Sequence, residues 1–209
     1  MNIVFAAISP HAPIFLPTVG SKEDREKAKK TLKALDSLSE KFKKAKPESI
    51  IISSPHPEWG FDVPLYFLAK DFKGDKKSYL TGLENPKFYF EEGKRTYEKQ
   101  IKKYNSKIAI IASGDLSHCL REDGPYGFHP DGPKFDKDLI ESLEKKKVER
   151  IFDLDDDYPN AAECGLRSFC FLLGILEAHS TSSGQAWKPE ILSYEGPFGV
   201  GYLVSNFKV

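Results

Sequence analysis

Three short apolar runs, each closed by serine, constrain this chain more than any other feature. Residues 3–9 read IVFAAIS, residues 50–54 read IIISS and residues 108–113 read IAIIAS. Such runs lack a polar face, so they predict strands covered on both sides, over residues 3–8, 50–52 and 108–111. That is the pattern of a parallel sheet in an α/β protein. Each run leads directly into a histidine: Pro10-His11-Ala12-Pro13, Pro55-His56-Pro57-Glu58, and Gly114-Asp115-Leu116-Ser117-His118. In open α/β sheets, ligands bind in the crevice outside the carboxyl ends of the strands. Three of the five histidines are thus placed to converge on one pocket. Neutral imidazole is both the commonest transition-metal ligand and a common general base. The chain therefore reads as a metal-site or acid–base enzyme.

The remaining segments supply the helices and the sheet edges. Ser21 caps a helix with Glu23, Asp24 and Glu26 near its positive end. Leu32, Leu35, Leu38 and Phe42 form its buried stripe at helical spacing. Strand, loop, helix and strand in succession predict a parallel pair of the first two strands with a right-handed crossover. Residues 64–72 (PLYFLAKDF) read as an edge strand, because Pro64 donates no hydrogen bond. Residues 88–104, with Tyr97, Ile101 and Tyr104 among alternating charges, predict a helix, and residues 135–147 predict another. Between strand and helix runs a long Gly/Pro-rich loop, residues 114–133, of the kind that carries function. The acidic run 153–157 reads as a solvated turn. Residues 161–179 form an apolar helix, and residues 191–194 and 199–207 form a hairpin or a strand pair.

Composition excludes several classes. The chain has 209 residues, enough for one large domain over 1–209, and no composition shift marks a boundary. Lys and Arg balance Asp and Glu at 31 each, which argues against nucleic acid or an anionic membrane as partner. No apolar run approaches the roughly 20 residues that span a bilayer. The odd count of three cysteines fits a reducing compartment. A cytoplasmic protein, with a homodimer as a possible assembly, is the expectation.

His11 and His56 share a local pattern, Ser-Pro-His followed by Ala-Pro or Pro-Glu. Flanking prolines stiffen both loops, and a repeated pattern at two strand ends points to a shared metal. Two histidines and a carboxylate leave open positions for substrate, the set found in non-haem Fe(II) oxygenases. Glu163, at the start of the apolar helix, is the candidate carboxylate. It can equally cap that helix or pair with Arg167 four residues on. Cys164 is the alternative ligand, since thiolates bind Fe and Zn well. His118, in a different setting, suits general acid/base work. Asp115 can orient an imidazole from behind or simply form the turn after Gly114. His129 reads as loop surface, and His179 as a cation suited to the negative end of its helix.

In these motifs the chain resembles the class III extradiol dioxygenase superfamily, the LigB-like fold that includes the Memo family. The carriers are SPHAP at His11, SPHPE at His56, SGDLSH ending at His118, AAECGLR around Glu163, and YEGPFGVGYLV near the C-terminus. The closest likeness is to the branch occurring alone or within AmmeMemoRadiSam proteins. The resemblance implies one α/β domain, a central mixed sheet flanked by helices. It implies Fe(II) held by His11, His56 and Glu163, with His118 as acid/base, acting on a catechol-type aromatic and dioxygen. Ring-cleaving members carry Glu on this helix and Memo-like members carry Cys followed by Gly; here Glu163 precedes Cys164-Gly165. Two further readings follow: a Memo-like metal-binding or redox partner protein without ring cleavage, and a Zn-dependent hydrolase.

Overall fold

The computed structural model describes residues 3–103 and 105–209, so Tyr104, the end of one expected helix, lies outside the described residues. Six strands form one sheet: β1 (Ile3–Ser9), β2 (Ser49–Ser54), β3 (Asp75–Leu80), β4 (Ile108–Ser113), β5 (Lys188–Glu195) and β6 (Tyr202–Lys208). Their order is β3-β2-β4-β1-β6-β5. The first four positions are parallel, and β6 and β5 close the sheet antiparallel. The expected mixed α/β sheet flanked by helices is therefore present. The direct β1–β2 pairing is not: β4 lies between them, with Ala6 and Ile51 both opposite Ile110. A later strand thus took the central place, which puts the carboxyl ends of β1 and β2 on either side of that of β4.

The helices are α1 (Lys22–Lys27), α2 (Lys29–Ala45), α3 (Trp59–Ala69), α4 (Pro86–Lys99), α5 (Asp131–Glu144), α6 (Val148–Phe152), α7 (Leu154–Asp157) and α8 (Leu166–Ser183). Strand alternation divides the core. Ile108, Ile110 and Ala112 face α4, α5 and α8, while Ala109 and Ile111 face α2 and α3. Helices α4 and α8 pack backbone to backbone: a Cβ on Gly174 would lie 1.9 Å from the Phe90 carbonyl oxygen. Ser21 caps α1 reciprocally with Asp24, as its sequence position predicts.

Several local readings are corrected. Residues 64–72 are not an edge strand: they belong mostly to α3, with Pro64 inside the helix. The outer edge is β3, whose polar sequence DKKSYL carries no apolar signal because it is largely exposed. The acidic run includes the single helical turn α7, not only a turn. His179 is not a surface cation. It lies within α8 at 2% exposure, its Nδ1 3.3 Å from the Tyr97 hydroxyl, and burial lowers its pKa. The helix expected over 161–179 starts only at Leu166.

A fully buried carboxylate ties the Gly/Pro-rich loop to the sheet. Asp136 on α5 accepts from the Ser117 amide at 2.9 Å and from the Tyr194 hydroxyl at 2.5 Å. Gly201 makes room for it, since a Cβ there would lie 2.2 Å from Asp136 Oδ2. Burial outweighs both hydrogen bonds and raises the Asp136 pKa from 3.8 to about 6. Between these values the folded chain holds a proton that the unfolded chain has released. By linkage, this group makes stability fall as pH rises from about 4 to about 6. The span is at most about 3 kcal/mol. Urea unfolding across that range should show the decline, and Asp136→Asn should flatten it.

Candidate functional site

The carboxyl ends of β1 and β2 and the lead-in to α8 bring three donor atoms together. One ring nitrogen of His11, one of His56 and Cys164 Sγ all lie within 4.8 Å of one another. His11 Nε2 is 3.5 Å from Cys164 Sγ. The His11 and His56 rings meet edge to face at 5.2 Å between centroids. His11 is buried, Cys164 half-buried and His56 exposed toward a cleft. Metal–nitrogen bonds near 2.0–2.1 Å and metal–sulfur bonds near 2.3 Å place neighbouring donors of one ion about 3.5 Å apart. The His11–Cys164 pair meets that spacing, so the three residues fit a single transition-metal ion.

Each donor is held from behind. His11 Nδ1 lies 3.0 Å from Ser113 Oγ. The Ser113 hydroxyl donates to the Gly60 carbonyl, so its oxygen is left to accept from Nδ1–H. That fixes the tautomer and leaves the Nε2 lone pair facing Cys164, the orientation a ligating histidine needs. The Gly60 carbonyl is free for this purpose because its normal helical partner would be the amide of residue 64, and Pro64 has none. The proline misread as a strand signal thus serves the site. Burial, then the neighbouring His56, lowers the His11 pKa to about 3, so the ring is neutral. His56 is placed by the turn in which its amide donates to Ser54 Oγ at 3.1 Å.

Cys164 is seated by two glycines. A Cβ on Gly114 would lie 2.3 Å from Gly165 Cα, and the Gly165 amide donates to the Asp115 carbonyl at 3.0 Å. This close approach lays Cys164 Sγ 3.4 Å from the Asp115 amide. Burial pushes the thiol pKa well above its ordinary value. Two non-glycine residues with positive φ flank the site, Glu58 at 51° and Ala162 at 53°. Strain of this kind gathers at functional sites.

Glu163 faces elsewhere. Its carboxylate accepts from the Leu166 amide at 2.7 Å, capping α8, and from Arg167 at 3.0 Å. Burial nevertheless raises its pKa to about 7. It is Cys164, the alternative donor, that lies with the two histidines. Asp115 stands beside them: Oδ1 accepts from the His11 amide at 3.0 Å, Oδ2 lies 3.8 Å from His11 Nε2, and burial raises its pKa to about 6. His118 is half-buried, its amide bound to the Ala161 carbonyl and its ring 5.7 Å from that of Tyr126. Burial lowers its pKa, so it too is neutral near pH 7. His129 is loop surface, accepting from the Asp131 amide. From the sequence, Ser113 and Gly60 had no role at the site, and Pro64 had only a place at a sheet edge. The signal available was the serine that closes all three strands.

Residues 54–205 match the family described as the catalytic LigB subunit of aromatic ring-opening dioxygenase. A curated relative, protein CA_C1420 of Clostridium acetobutylicum, is 45% identical over 150 residues, which is 71% of this chain. The aligned part is only 31% of that relative's length. The crystal structure of the uncharacterized protein JW3007 from Escherichia coli K12 superposes with a TM-score of 0.64 over 98% of this chain and 99% of that one. At 14% identity it shows a shared fold.

The Pro64 arrangement is testable. Pro64→Ala supplies an amide that competes with Ser113 for the Gly60 carbonyl. The helix should gain stability while His11 loses its fixed tautomer. Disturbing such a supporting contact costs roughly 10–100-fold in metal affinity. A zinc titration with thermal melts should show weaker binding without a lower Tm.

Proposed function

Because this chain belongs to the family of the catalytic LigB subunit of aromatic ring-opening dioxygenase, we propose that it is a metal-dependent oxidoreductase acting on a catechol-type aromatic with dioxygen. The observation that carries the reading is the convergence of His11, His56 and Cys164, with His118 close enough to Asp115 and His11 to feel their charges. Fe(II) held by these three residues would supply Lewis acidity, redox capacity and a template for two substrate hydroxyls. Both atoms of dioxygen enter the product of ring opening, so no separate reductant is required.

The chain's own residues supply the rest. Neutral His118 accepts a proton from a substrate hydroxyl and later returns it as an acid. Asp115 holds the His11 backbone in place by accepting a hydrogen bond from its amide. Tyr126 stands edge-on to the His118 ring. The cleft outside His56 admits the substrate; it encloses about 450 Å³.

One observation favours a second reading. The third donor is a thiol, and thiolates draw zinc and copper at least as well as iron. A Memo-like metal-binding redox protein without ring cleavage has the same three residues available. Metal analysis, anaerobic Fe(II) reconstitution and an oxygen-uptake assay with catechol separate the two. Uptake with a ring-opened product supports the first, and bound metal without uptake supports the second.

Variants test the ligand set. Cys164→Ser should lose more than about 100-fold in metal affinity, beyond the cost of a supporting residue. Glu163→Gln should retain metal, since its carboxylate is committed to Arg167 and Leu166. The opposite pattern would make Glu163 the ligand. His118→Ala should keep one equivalent of metal and slow oxygen uptake by about 10²–10⁴-fold. Loss of metal in that variant would make His118 a ligand instead.

A further inference from the structure

The cleft that opens at His56 and Cys164 extends past Thr81 and Leu83 to Asp155 and Arg167. Arg167 is the only Lys or Arg lining it among the described residues, and each of its three nitrogens donates one hydrogen bond within the protein. Nε donates to the Glu84 carbonyl at 3.0 Å, Nη1 to Glu163 at 3.0 Å and Nη2 to Asp155 at 2.6 Å. Its side chain is 18% exposed, against 36% for Asp155. A ligand entering this end therefore meets the carboxylate more readily than the guanidinium. The cleft wall also holds Thr81, 4% exposed, whose hydroxyl has no hydrogen-bond partner among the described residues.

These groups set a charge preference. A carboxylate on the substrate would meet a guanidinium already paired with Glu163 and Asp155, with only two N–H groups left, and would lie beside the more exposed Asp155 carboxylate. An ammonium or hydroxyl substituent finds an acceptor in Asp155. A turn of the Thr81 side chain adds a second polar contact. Selecting by rejection of one charge is as effective as selecting by attraction of the other.

We propose that this cleft selects diol substrates whose tail carries a hydrogen-bond donor, an amine or an alcohol, and discriminates against those whose tail carries a carboxylate. This rests on the diol reading given under Proposed function, and the test keeps the two apart. The Fe(II)-reconstituted protein, kept anaerobic, is titrated calorimetrically with catechol, dopamine, hydroxytyrosol and dihydroxyphenylacetate. Dopamine and hydroxytyrosol should bind more tightly than catechol, and dihydroxyphenylacetate more weakly. The ammonium-to-carboxylate ratio should be at least about fivefold, the scale of one partly exposed charge contact. Asp155→Asn should bring that ratio toward one, with metal content unchanged. Thr81→Val should reduce the advantage of hydroxytyrosol over catechol. It leaves the Arg167 contacts intact, so it still decides if Asp155→Asn fails to fold. Equal affinities for the three tailed diols, or a preference for the carboxylate, would overturn this inference alone. Failure of catechol itself to bind would overturn the diol reading along with it.

Discussion

Gly114 and Gly165 touch where no side chain could fit, and the geometry of the site follows from that contact. It ties the exit of the central strand to the lead-in of the apolar helix α8, with the Gly165 amide on the Asp115 carbonyl. Cys164 is thereby laid against Asp115, and Asp115 holds the His11 amide. Because β4 lies between β1 and β2, pinning one helix to its end sets the third donor beside two histidines already in contact. A methyl group at either glycine would push the helix away and separate the donors.

Burial governs the chemistry of most groups there. It keeps His11 and His118 neutral, the Cys164 thiol protonated, and the carboxyls of Asp115 and Glu163 above their ordinary range. These shifts share one sense: each suppresses a charge that the low-dielectric interior cannot solvate. A divalent cation is the largest local charge such a site can hold, and it inverts this logic. Thiol and carboxyl then favour their anionic forms, while the neutral His11 needs no change to bind.

Much of the architecture was legible because the central strands are buried on both faces, and only apolar residues satisfy that. The pocket was legible for the same reason, since strand ends in such a sheet point to one crevice. Strand β3 was not, because an exposed edge favours charged residues and DKKSYL resembles loop. Pro64 misled because the bond it forfeits within α3 is made elsewhere, by Ser113. The position of β4 between β1 and β2 was hidden too, since chain order alone does not decide which strands become neighbours. Glu163 and Cys164 are adjacent and both suited to metal, so their identities could not separate them. The turn through Ala162 and the bare Gly165 decide which side chain faces His11, and those are properties of backbone geometry.

The protonated state of Cys164 has a consequence for handling the chain in air. Oxidants attack the thiolate, and a thiol kept protonated by burial reacts slowly with peroxide. The same residue becomes a thiolate once a metal holds it. Metal loading and oxidative vulnerability therefore rise together, and the empty chain keeps its sulfur in the reduced form that coordination requires.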